Sequence, residues 1–253
     1  ESMSFLNKTF TKVLFLGLLP LQPILALPTN SDVTPYNATY KAKYNGIDIT
    51  ATHQLIKREN GVYLESSEAK SVLGKISESS QFIASKEGDL KSKRYSYKRS
   101  LFGVTRTETQ DFDWTNKQII YTKNSNSKKL RLEKNVFDML THKLQIRRDL
   151  RTGTLASSYP VISRDRIREY VYEIIGQEIL ETSIGPIRTT KIRRVVNSNK
   201  KRETVIWLAD DWEFLTVKLV HLEKGERHQL DIIRGRVGDK IIIPLKRIIE
   251  TPL

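Results

Sequence analysis

Histidines and one adjacent acidic pair are the side chains here best suited to chemistry. His53 falls on an alternating stripe with Ile47, Ile49, Ala51 and Leu55. An imidazole on such a stripe serves either as a ligand or base inside a barrel or as a packed core residue. A general base needs a nucleophile or an orienting carboxylate beside it, and the local sequence supplies neither, so His53 reads as core. His142, His221 and His228 lack a metal-binding spacing such as H-E-x-x-H, and the chain has no cysteine. No metal and no cofactor are therefore expected. Asp210-Asp211 follows Trp207, but neighbours on a strand face opposite ways, so the pair fits turn chemistry better than a shared proton. Neither a G-x-S-x-G elbow nor a phosphate-binding glycine loop is found, and no enzyme is expected.

Basic clusters are the other chemical signal. "KSKRYSYKR" sets Lys91, Lys93, Arg94, Lys98 and Arg99 among tyrosines, and "IRTTKIRR" adds Arg188, Lys191, Arg193 and Arg194. With 43 Lys+Arg against 29 Asp+Glu, the formal charge is +14, enough to attract anionic surfaces. The alternative is a solvated strand face whose charges guard the sheet against aggregation.

The elements that position these residues begin with an N-terminal stretch of secretory type. Lys8 and Lys12 precede the apolar run Val13 to Leu19, then Pro20, Pro23 and a small residue at Ala26. We read residues 1–26 as a signal peptide, 27–35 as a flexible leader, and 36–253 as one β-barrel-like domain. Export makes intracellular nucleic acid an unexpected partner. Lipid phosphates, acidic envelope polymers or an envelope protein take its place, and the oligomeric state stays open.

From Tyr36 onward the period is two. Tyr36, Tyr40 and Tyr44 share a face, Asn45-Gly46 marks a hairpin turn, and the stripe resumes at Ile47, Ile49, His53 and Leu55. These residues are expected to line the interior. Further alternating runs follow between polar turns, including one strand before Gly176 and another after it. One segment breaks the pattern: Val136, Leu140 and Leu144 recur every four residues up to Gly153. That spacing predicts a helix over about 136–151, capped by Asn135 or Asp138 and covering an open end of the sheet. The fold class from the pattern is all-β, a long antiparallel meander with one helix. Asn37-Ala38-Thr39 matches a glycosylation acceptor formally and reads as the polar face of the first strand.

Four segments in order, "YNATYKAKYNGI", "DMLTHKLQIRRDL", "TVIWLADD" and "LTVKL", resemble the bacterial domain-of-unknown-function 3108 family. Thr216 departs from the proline expected there. The resemblance implies a periplasmic, mainly β protein, a curled antiparallel sheet (open β-barrel or β-spiral) with a helix near its mouth, and an envelope role without established chemistry. It supplies no catalytic residues to transfer. The expected function is non-enzymatic envelope maintenance by binding or scaffolding; a carrier for a lipid or other apolar molecule is the alternative, and an exported hydrolase the weaker one.

Overall fold

The computed structural model describes residues 33–44, 47–85, 89–133, 135–196 and 202–245. The signal peptide, most of the leader and the Asn45-Gly46 turn lie outside the described residues.

The strands are Tyr36–Tyr44 (β1), Ile47–Lys57 (β2), Tyr63–Ser71 (β3), Gly74–Ala84 (β4), Leu90–Leu101 (β5), Val104–Asp113 (β6), Gln118–Lys123 (β7) and Asn126–Arg131 (β8). After the helix Thr141–Thr152 (α1) come Tyr159–Ser163 (β9), Arg166–Thr182 (β10), Gly185–Val195 (β11), Arg202–Ala209 (β12), Leu215–Glu223 (β13), Glu226–Val237 (β14) and Lys240–Ile241 (β15). All pair antiparallel in one sheet ordered β8-β7-β6-β5-β4-β3-β2-β1-β14-β13-β12-β11-β10-β9, with β15 beside β14. The antiparallel strands are those the period-two pattern predicts, and their open, curled arrangement is the one the family resemblance implies.

The sheet is not closed by backbone pairing between β8 and β9. Side chains bridge that seam instead: Lys128 reaches Asp165 at 3.2 Å, and Ile167 packs with the small core of Phe112, Ile119, Leu132, Val136 and Ile162. The outer edge of β9 is covered by Phe137, which donates its N–H to Pro160 and accepts from Ile162, both at 2.9 Å. A covered edge does not template further strands.

Two sequence expectations need correction. The helix begins at Thr141, not near Val136. Phe137 spends its backbone groups on β9, and the Asp138 carboxylate accepts the N–H groups of Leu140 (2.8 Å) and Thr141 (3.0 Å), so the first turn starts only beyond it. Gly153 ends the helix at φ 77°, the left-handed conformation that suits glycine. Second, Gly176 does not separate two strands. It sits at φ 155° where the β10–β11 register shifts between Ile174 and Gly176, a bulge within one 17-residue strand.

Candidate functional site

Register places the functional side chains in rows. On the face toward α1, Tyr36, Leu55, Glu65, Ser80, Tyr95, Gln110 and Tyr121 lie directly opposite one another across β1 to β7. The next row on that face is Ala38, His53, Ser67, Glu78, Tyr97 and Glu108. Neighbouring strand positions must alternate faces, so the opposite surface carries Gln54, Ser66, Ser79, Ser96, Thr109 and Thr122 in a matching row. The inner face is therefore aromatic and acidic, and the outer face hydroxylic.

α1 lies on the inner face and is held by a polar network. Asp138, fully buried, accepts from Ser80 Oγ at 2.6 Å as well as from the two backbone N–H groups. Ser92 and Thr141 hydroxyls meet at 2.8 Å, and Gln145 Oε1 accepts the Leu90 N–H at 3.1 Å. Across the lumen, His142 Nε2 lies 3.2 Å from Tyr172 Oη, and Arg147 Nε donates to the Glu213 carbonyl at 3.0 Å. One helix thus pins both halves of the curl.

Glu65 is a carboxyl strongly altered by this setting. Burial pushes its carboxyl up to about 7, opposed by the Tyr36 hydrogen bond (2.7 Å) and by the charges of Lys143 and Arg147. Its Oε2 has no hydrogen-bond partner among the described residues. Burial raises the Glu78 carboxyl as well. His53 packs against the Tyr40 ring, centroids 4.9 Å apart, and burial aided by Lys143 and Arg147 drives its imidazole down to about 3. A neutral ring without a hydrogen-bonded carboxylate has nothing to orient it for proton transfer.

The expected interior stripe faces as the alternation demands: Tyr36, Tyr40 and Leu55 are buried, while Ile47, Ile49 and His53 are half-buried. Tyr44 pairs with Ile47 in the same register. The expected basic surface, in contrast, is divided. Lys91 lies over Trp114, Arg94 pairs with Asp111 at 2.6 Å, Lys93 and Lys98 point to solvent, and Arg99 shares the inner face. On β11, Arg188 approaches Asp211 (3.7 Å), Lys191 covers Trp207, Arg193 pairs with Glu173 (2.7 Å from Nε), and Arg194 stacks on Tyr170 (3.5 Å). Asp210 accepts from Thr190 Oγ1 at 2.8 Å, so the adjacent aspartates act separately in a turn. Sequence reasoning missed Glu65, Asp138 and Lys143 as a group; its available signal was a glutamate on the inward parity of "YLESSEA".

Beside this site, the outer hydroxyl face holds an open cleft of about 610 Å³, whose lining joins Ser66, Ser79, Ser96 and Thr109 with Lys98 and the carboxylates of Glu68, Glu78 and Glu108. Among the described residues, no group of histidine and carboxylate side chains is placed to hold a metal, and no helix is long and apolar enough to cross a membrane.

The fold is shared with a known structure. The chain is similar to a β-barrel-like protein of domain of unknown function DUF1849 from Brucella abortus, at a TM-score of 0.57 and 8% identity, covering 82% of this chain and 99% of that one. That likeness concerns the fold alone. No curated protein matches the chain. The family model described as protein of unknown function (DUF3108) matches residues 39–229, most of the sheet and all of α1, and the chain belongs to that family.

Proposed function

We propose that this chain is a non-catalytic binding protein of the bacterial cell envelope, exported to the periplasm, which meets an anionic envelope component on its outer surface. One observation carries the reading: α1 occupies the inner face of the curl. Leu140, Leu144 and Ile146 are buried, and Asp138 and His142 are hydrogen-bonded. An apolar cargo has little room where the helix already fills the wall. The accessible chemistry is then the hydroxyl cleft and the cations that project from the sheet. The leader supports export, and the +14 charge supports an anionic partner.

The test uses the chain recovered from an exporting bacterial host. Its N-terminus is expected near Leu27, and native mass spectrometry is expected to show the bare polypeptide. Binding to heparin, a soluble polyanion, should weaken roughly tenfold or more as salt rises from about 0.05 M to about 0.5 M. A stoichiometric co-purified lipid would replace this reading with the carrier. Retention of the unprocessed chain in the cytoplasm would remove the envelope from it.

A further inference from the structure

Alternation of strand direction gives the curl two ends. α1 engages Ser80, Leu90 and Ser92, toward one end of β4 and β5. The β3–β4 and β5–β6 turns lie at the other end, and their tips are apolar. Val72 is 90% exposed, Phe102 77% and Val104 67%. Other turns at the same end carry Asn124, Arg164-Asp165 and Lys224-Gly225.

Turn chemistry does not account for Phe102. It sits at φ 50° before Gly103 at φ 77°, a pair of positive-φ positions that favour Asn, Asp or Gly over a bulky side chain. Its ring is left to solvent. The two tips are nevertheless locked together: Phe102 N–H donates to the Leu73 carbonyl at 3.2 Å, and a Cβ on Gly74 would come within 2.1 Å of the Ser100 carbonyl oxygen. They form one rigid apolar prow.

Cations stand behind it. Lys70, Lys75, Lys98, Arg99 and Arg106 lie two to four residues from the tips, about 7 to 13 Å back at the rise of a strand. Glu68 on those strands already bridges Lys70 and Lys75, and Glu108 bridges Arg106. Lys98 and Arg99 have no ion pair among the described residues. Apolar tips with cations one headgroup depth behind them match an anionic bilayer, whose acyl boundary accepts side chains to a depth of about 5–10 Å while its phosphates attract the charges.

We infer that the Val72 and Phe102–Val104 hairpin tips insert into a bilayer bearing anionic phospholipid, seating the curl on the membrane by the end opposite α1. This rests on the reading above that the partner is anionic, and it names the partner as a lipid surface. The full processed chain is tested by co-sedimentation with vesicles of phosphatidylglycerol and phosphatidylcholine, with heparin as the soluble anionic control. Wild type should bind the mixed vesicles and not pure phosphatidylcholine. The triple variant Val72→Ser, Phe102→Asn, Val104→Ser should lose at least about tenfold in vesicle partition and keep its heparin affinity. Asn suits the positive φ, so its unfolding midpoint should not fall. Lys98→Ser with Arg99→Ser should weaken both interactions. A Phe102→Trp chain should show a blue-shifted emission with mixed vesicles and none with heparin.

A triple variant that binds vesicles as wild type does overturns the insertion. So does a wild type that binds heparin but not vesicles, although the anionic reading then survives. A chain that binds neither removes both.

Discussion

The two walls of the curl are built from similar alternating strands and held by different forces. In the wall of β1 to β8, the inner rows mix tyrosines with Glu65, Ser80, Glu78 and Gln110. In the wall of β9 to β14, β12 runs Val205 to Ala209 buried at every position, with Ile192, Leu215 and Val217 packed around it. Lys191 and Lys218 cover the outward Trp207 ring at 4.8 and 5.3 Å, sealing that side. The apolar wall fits itself by shape. The polar wall needs directional partners, and α1 brings them, so the polar residues fix where the helix sits.

The largest single-residue effect belongs to the apolar wall. Ile192, 1% exposed, is paired with Ile174 on one side and Ile206 on the other. Ile192→Ala should cost up to about 5 kcal/mol in urea unfolding, with little change between neutral and mildly acidic buffer, because it removes only contact and opens a cavity. Asp138→Ala comes next, at about 3 to 4 kcal/mol, since the Ser80 hydroxyl and two backbone N–H groups would be buried without their acceptor. The two should also differ in kind. Asp138→Ala should release α1 locally, raising hydrogen exchange in Thr141–Thr152, while Ile192→Ala leaves the helix protected until global unfolding. Equal exchange in both variants would erase the distinction between the walls.

Sequence patterning reached the walls unequally, for reasons that follow from this distinction. Alternation identified most strands because it records which side faces inward, whatever the inward residue is. It passed over β8 because Asn126 to Arg131 is charged or polar at nearly every position, as an outer strand can be. It passed over β9 because five residues containing Pro160 carry too little pattern. Gly176 looked like punctuation because a bulge and a turn use the same residue. The helix start was misplaced because Val136 and Phe137 share its apolar spacing, while Val136 serves the smaller core and the Phe137 backbone is spent on β9. For the site, His53 was legible as a packed residue from its stripe alone. The Tyr36–Glu65 and Ser80–Asp138 contacts join residues 29 and 58 positions apart, and local spacing says nothing of such pairs. The basic clusters were visible, but their partners on adjacent strands were not.

Acid titration separates the walls by a smaller amount. Glu65 ionises near 7 in the fold against about 4.5 when unfolded, so between these values the folded state binds more protons. Stability from this group is complete below about 4.5 and is lost as pH rises through about 7, a loss on the order of 3 kcal/mol. His53 and His142 act oppositely: each is held near 3 against 6.5, so their contribution is lost as pH falls below about 6.5. Glu65→Gln retains an acceptor for Tyr36 and has no charge to titrate. Wild-type minus variant stability, measured from pH 4.5 to 8, should decline with pH, because the histidine contributions cancel in the difference. A flat difference would show that the polar wall hydrates Glu65 and does not sequester it.

The smallest effect concerns the outer surface of β11. Arg193 donates from Nε to Glu173 at 2.7 Å, and both side chains are close to half exposed. Water and salt screen such a pair, so Glu173→Gln should change stability by less than about 0.5 kcal/mol. Its value lies in what it frees. Arg193 is basic in sequence but already engaged by Glu173 and, at 3.8 Å, by Glu203, whereas Lys98 near the hairpin tips has no ion pair among the described residues. If availability decides which cations meet a polyanion, Glu173→Gln should strengthen heparin binding slightly, and Lys98→Ser should weaken it more than Arg193→Ser does. Were Arg193→Ser the more damaging change, the cross-strand pair would have to open at little cost, and heparin would contact the β11 wall as well as the polar one.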